Sequence, residues 1–211
     1  MKTQIIKTGM LTGLLVMSMA FIAVAEKNSN NLSTTADESN TRRWGLELNV
    51  GGSFATQKMA GSSLNAGMGF EGMFHYRFLP HTGMYAGWGW NKFSADHSFA
   101  GANMDFEETG YVFGLQFKHP IENTAMSYFL RAGGLYNHIE VENEDGDIIG
   151  DTGHGTGWQV AAGIEMAISG KWAFSPGLKY NSLSRDIDME GNTFSLDQNY
   201  LSLRVGFLRT F

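Results

Sequence analysis

The sequence predicts an all-β protein, an eight-stranded antiparallel up-and-down transmembrane β-barrel. Three observations carry this prediction. Apolar and polar residues alternate with period two through eight segments of about nine to eleven residues, the length at which a tilted strand crosses a bilayer. The connections between those segments alternate between short and long. Aromatic residues gather near both ends of the apolar faces, as a membrane with two interfaces requires.

The chain opens with Lys2 and Lys7, an apolar stretch from Met10 to Ile22, and Ala23-Val24-Ala25. A charged start, a short apolar core and an A-x-A site predict a cleaved secretory signal peptide over residues 1–25. Residues 26–43 are polar, with Leu32 the only large aliphatic residue, too poor in apolar surface to offset ordering, and predict a flexible tail. The barrel domain is then residues 44–211. Without Lys2 and Lys7, 13 basic residues stand against 21 acidic ones, a formal charge of −8 that disfavours a nucleic-acid partner. The absence of cysteine excludes disulfides, thiolate chemistry and lipidation on cysteine.

The strands follow in order. The first sets Trp44, Leu46, Leu48, Val50 and Phe54 against Glu47, Asn49 and Ser53, and the second sets Met68, Phe70, Phe74, Tyr76 and Phe78 against Glu71, His75 and Arg77. In the third, Met84, Ala86, Trp88 and Trp90 oppose Tyr85, Gly87, Gly89 and Asn91. Tyr111, Phe113, Leu115 and Phe117 oppose Gly110, Gly114, Gln116 and Lys118 in the fourth. The fifth places Tyr128, Leu130, Ala132 and Tyr136 against Arg131 and Asn137, with Phe129 and Leu135 on the polar side. The sixth runs through Trp158, Val160, Ala162, Ile164 and Met166. The seventh runs through Trp172, Phe174, Leu178 and Tyr180, and Pro176 within it predicts a bulge or local break. The eighth alternates Leu201, Leu203, Val205, Phe207 and Phe211 with Tyr200, Ser202, Arg204, Gly206 and Thr210. Short turns fall at 79–82, 119–125 and 169–170, whereas the segments near 55–66, 94–106, 141–156 and 184–194 read as long polar external loops.

Alternation would also suit a soluble eight-stranded barrel with its apolar face inward. The apolar faces here hold almost no charge, Arg209 excepted at a strand end from which its head can snorkel. The polar faces instead carry Glu47, Glu71, Arg131, Glu165, Lys179 and Arg204 at mid-strand. Inside a narrow barrel such residues must pair, so Glu47, Glu71 and Glu165 are expected to meet some of Arg131, Lys179 and Arg204. The polar faces point inward and the apolar faces meet lipid.

The terminal strand closes on Phe211, with Arg204-Val205-Gly206-Phe207 before it. Gly206, Phe207 and Phe211 together resemble the C-terminal assembly signal of bacterial outer-membrane barrels. With the signal peptide and eight amphipathic strands, residues 44–211 resemble the small porin-like outer-membrane β-barrel family, that of OmpX and the OmpA barrel domain. The resemblance implies residence in the outer membrane of a Gram-negative cell, contact with outer-membrane lipid and lipopolysaccharide, and folding by the barrel-assembly machinery. It implies no single activity, since fold does not fix function.

No catalytic residue, cofactor site or metal site emerges. The loop Glu140-Val141-Glu142-Asn143-Glu144-Asp145-Gly146-Asp147, with Asp151 beyond, is rich enough in carboxylates for calcium but lacks the EF-hand spacing, and reads as a solvated acidic loop. His97-Ser98 is comparable with outer-membrane lipid A hydrolases, whose His and Ser are separated by one residue rather than adjacent as here. The six histidines show no H-x-x-x-H spacing, and Gly110 to Gly114 are strand glycines rather than a phosphate loop. The expected function is therefore that of a monomeric, non-enzymatic, surface-exposed envelope barrel. Its lumen is blocked by Met73, Tyr85, Phe129 and Leu135 as well as by charge, because eight strands enclose a bore that side chains nearly fill. The alternatives are a small-solute channel and an adhesin using Phe99, Met104, Ile148 and Phe194.

Overall fold

The computed structural model describes residues 42–189 and 191–211. The predicted signal peptide, 1–25, and nearly all of the polar tail, 26–43, lie outside the described residues. The described chain forms strands β1 (Trp44–Ala55), β2 (Gly67–Arg77), β3 (Thr82–Ser98), β4 (Gly101–Pro120), β5 (Met126–Glu142), β6 (Ile148–Asp151), β7 (Gly155–Ser169), β8 (Trp172–Met189) and β9 (Asn192–Thr210). Each pairs antiparallel with its neighbour, and β1 closes on β9 through a register that sets Asn49 opposite Gly206 and Ser53 opposite Ser202. Eight strands thus form a ring with no open edge, and the short β6 folds back on the end of β5.

The two faces of the wall decide its solvent. Leu48 and Phe74 on the outer face are 62% and 63% exposed, whereas Glu47 and Glu71 on the inner face are 1% and 5% exposed. A water-soluble barrel would show the reverse, and a continuous apolar belt of this kind requires lipid around it. Trp44, Trp172 and Phe211 rim one end of the belt, and Tyr111, Tyr136 and Trp158 rim the other. The chain enters and leaves at the first end, where the connections are short; by the rule for outer-membrane barrels this end faces the periplasm.

Two of the expected external loops are strand. The segment 94–106 is a hairpin in which β3 runs to Ser98 and β4 restarts at Gly101, and 184–194 continues β8 to Met189 and β9 from Asn192. The acidic segment 141–156 contains β6, so only 55–66 remains largely a loop, held by a bridge between Met59 and Ser62. The physical reason is an inversion of pattern. Alternation keeps its phase past Trp90, but Phe93 and Ala95 now point inward while Lys92, Ser94 and Asp96 point outward. The same exchange occurs at Ile139 and Val141 of β5, at Leu183 and Ile187 of β8 and at Leu196 of β9. Below this level the wall separates a polar lumen from lipid. Above it, the same wall separates an apolar core from water.

Pro176 gives a local break without a bulge. It stays in register with Val205 of β9, while towards β7 the ladder is interrupted between Gly163–Gly177 and Met166–Phe174 without slipping. A residue lacking an N–H removes ladder bonds on one side only, and closure through β9 keeps the strand in place.

Candidate functional site

The lumen holds most of the ionisable residues singled out from sequence. Arg131 Nη2 reaches Glu47 Oε2 at 2.5 Å, and its Nε donates to Gln116 Oε1 at 2.7 Å. His75 Nε2 lies 2.8 Å from the same Glu47 oxygen, completing a three-residue cluster across the bore. Lys179 Nζ meets Glu71 Oε2 at 2.5 Å. Between these pairs Gln159 Nε2 donates to the hydroxyl of Tyr85, whose ring stands 5.8 Å from the Arg131 guanidinium. Met73, Tyr85, Phe129 and Leu135 are all at least 97% buried and fill what the charges leave.

Two of the six sequence candidates do not join that centre. Glu165 lies near the periplasmic mouth and pairs with Lys118 at 2.9 Å, a partner outside the expected set. Among the described residues Arg204 meets no carboxylate within ion-pair distance; its Nη2 donates to Asn91 Oδ1 at 2.5 Å and approaches Ser53 Oγ at 3.4 Å. Strand parity revealed which residues face inward, but not their height along the axis, and height decides who meets whom.

Above Arg204 lies a polar layer that sequence reading did not single out. Asn91 Nδ2 and Asn181 Nδ2 donate to the Tyr200 hydroxyl at 2.9 and 2.6 Å. Tyr200 in turn donates to Glu108 Oε2 at 2.6 Å, and Asn137 Nδ2 donates to Glu108 Oε1 at the same distance. Five strands therefore contribute to one hydrogen-bonded partition. The available signal was the inward parity of Asn91, Asn137, Asn181 and Tyr200 at the level where the pattern inverts.

On this partition sits an apolar plug. Phe93, Phe106, Ile139, Leu196 and Met59 are fully buried, and Phe93 meets Tyr200 edge-on at 5.2 Å. Phe99 packs at a tilt against Phe194 at 4.7 Å and Phe106 at 5.8 Å, with Met104 also packed on the cluster. Three of the four residues named for a possible adhesive surface thus cap the plug, and only Ile148, 56% exposed, remains presented to solvent. At the opposite mouth a cavity of about 340 Å³ reaches inward as far as His75 and Gln116, the partners of Glu47 and Arg131.

Of the terminal-strand residues, Gly206 faces inward where a Cβ would stand 2.0 Å from Asn49 Oδ1. Phe207 points to lipid beside Phe174 at 5.5 Å. Phe211 is tied to the first strand by its N–H to the Trp44 carbonyl at 2.9 Å, with Arg209 over its ring.

The outer wall beyond the belt is hydrophilic and acidic. Lys92 Nζ contacts Glu107, Asp105 and Glu142 at 2.8, 3.0 and 3.0 Å, tying β3, β4 and β5 together. Burial alone would disfavour its charge, but hydrogen bonds to the three carboxylates hold the Lys92 ammonium above the usual lysine range. Burial likewise opposes the Glu107 carboxylate, and the bonds from Lys92 and from Trp90 Nε1 outweigh it and hold its pKa below the ordinary glutamate range. His97 is exposed, Ser98 Oγ donates to the Gly101 carbonyl and Asp96 accepts from Asn65, so these residues form no nucleophile–base arrangement.

A closed eight-stranded ring, a lipid-facing belt and a packed polar lumen define a transmembrane β-barrel of the outer-membrane class. The chain belongs to the family described as outer membrane protein beta-barrel domain, whose model matches residues 12–207. Its fold is similar to that of Neisserial surface protein A, with a TM-score of 0.59 at 14% identity over 80% of this chain and 97% of that one. It is also similar to Escherichia coli outer membrane protein W, with a TM-score of 0.54 at 11% identity over 81% and 98% of the two chains. OprG from Pseudomonas aeruginosa gives a TM-score of 0.53 at 13% identity over 81% and 97%. At these identities the likeness concerns the fold. No curated protein matches the chain.

Proposed function

We propose that this outer-membrane barrel is a non-enzymatic, non-conducting envelope protein that presents a rigid β-structured turret to the outside of the cell. What carries the reading is the doubly filled lumen: ion pairs and the Tyr200–Glu108 partition at mid-height, and the plug around Phe93, Phe106 and Leu196 above them. A diffusion channel has no use for a continuous apolar core across its outer half, whereas a platform that must hold its shape does. The paired strands that continue beyond the belt favour presentation of a fixed surface over a mobile binding loop.

A short epitope inserted at Gly146, an exposed turn residue with φ of 82°, tests the display. Antibody is expected to bind it on intact cells, and the same epitope at Gly170 only after the outer membrane is permeabilised. Labelling of Gly170 but not Gly146 on intact cells would reverse the assignment of the two ends and remove the proposal.

A further inference from the structure

The outer wall brings four possible metal ligands together in a way that sequence spacing conceals. His138 and Glu140 are alternate residues on the outward face of β5. Asp151 of β6 lies directly across from Glu140, and His154 follows three residues later. His138 Nδ1 is 3.0 Å from Asp151 Oδ1 and 3.9 Å from Glu140 Oε1, and one ligand atom from each of the three lies within 4.8 Å of the others. The His154 ring stacks on His138 with centroids 4.4 Å apart and planes inclined by 15°.

The surroundings also call for a cation. Glu140 stands opposite Glu107 on one side and Asp151 on the other, so three carboxylates form a row across β4, β5 and β6. Like charges placed directly opposite one another destabilise a sheet. Lys92 serves Glu107, but among the described residues neither Glu140 nor Asp151 has a lysine or arginine within ion-pair distance; the side chain they share is the His138 imidazole. The carboxylates are held by backbone pairing, and Asp151 is further fixed by the Gly153 N–H on the same oxygen at 2.8 Å.

We propose that His138, Glu140 and Asp151 bind a divalent transition ion of the zinc class at the cell surface, with His154 turning from its stacked position to supply a fourth donor. Imidazole nitrogen mixed with carboxylate oxygen suits this class, whereas calcium takes six to eight oxygens and gains little from histidine. Metal–ligand distances of about 2.0–2.2 Å in a tetrahedral site set the donors roughly 3.3–3.6 Å apart, so the 3.0 Å His138–Asp151 separation must open slightly and the 3.9 Å His138–Glu140 separation must close slightly. The ion would bridge β5, β6 and the segment leading into β7, and neutralise the carboxylate row.

The test is calorimetric titration of the purified full chain in detergent with zinc, and with cobalt followed by visible absorption. One ion per chain is expected at the outer site, with its affinity lowered at least tenfold in His138→Ala, Glu140→Gln and Asp151→Asn and by less in His154→Ala. Retained heat-modifiable gel mobility shows that each variant is folded. His81 and His119, whose rings lie 4.6 Å apart at the periplasmic end, serve as the control. Zinc binding lost in the His81→Ala/His119→Ala double variant and kept in His138→Ala would overturn the proposal. So would the absence of zinc binding, or calcium binding of equal strength indifferent to His138→Ala.

Discussion

At the scale of single residues, Glu47 and Arg204 show how different two buried ionisable groups can be. Glu47 is 1% exposed and depends on Arg131 and His75. Arg131→Ala leaves a buried carboxylate with only the imidazole, at a cost of about 3–5 kcal/mol. Arg204 is 6% exposed but has amide and hydroxyl partners, so replacing it strands no carboxylate paired with it. Urea midpoints in detergent should therefore fall much further for Arg131→Ala than for Arg204→Ala. Equal losses would mean that Arg204 pairs with a carboxylate in the folded protein, as the sequence alone led one to expect.

Sequence parity was sufficient to place Glu47, Glu71, Arg131, Lys179 and Arg204 within the bore, because the opposite face of each strand carries an apolar row suited to lipid. It could not choose among partners, since register and strand tilt set the height of each group. Glu108 was invisible for a related reason. It lies in a polar run, Glu107 to Thr109, where an inward carboxylate is indistinguishable from its outward neighbours until the wall is built.

At the scale of elements, the long hairpins were legible as alternation but not as wall. Phe93-Ser94-Ala95-Asp96 and Phe194-Ser195-Leu196-Asp197 alternate as cleanly as any membrane segment. They looked like loops because their polar half is charged, as a strand facing water requires. The β5–β6 cluster was hidden more deeply, because His138 and Asp151 are thirteen positions apart and only a hairpin register brings them together.

The Lys92 cluster makes these extensions sensitive to pH. Glu107 has its pKa shifted downward in the fold, so its contribution is complete above the ordinary glutamate value of about 4.3 and is lost as pH falls through the lower folded value. Lys92 is shifted upward, so its contribution is complete below about 10.4 and is lost only in stronger alkali. Lys92→Met should lower the urea midpoint at pH 7 by a modest amount, because the cluster is partly exposed, and the difference from wild type should shrink below pH 4. A difference that persists at pH 3 would assign the loss to the lysine stem packing rather than to its charge.

At the scale of the whole molecule, one closed wall serves two solvents by exchanging the chemistry of its faces at a single level. The inward glycines of the membrane half make room for the side chains that fill the bore. A Cβ at Gly114 would lie 2.7 Å from the Tyr85 hydroxyl and one at Gly133 would lie 2.6 Å from it, so that ring already occupies the space a channel would need. The filled lumen is the central claim, and single-molecule current across a planar bilayer measures it most directly. Purified protein inserted at neutral pH in molar potassium chloride should give no steady conductance, with at most rare and brief openings. Sustained ohmic current that scales with salt concentration, and that is abolished when Gly114 is replaced by a bulky residue, would contradict it.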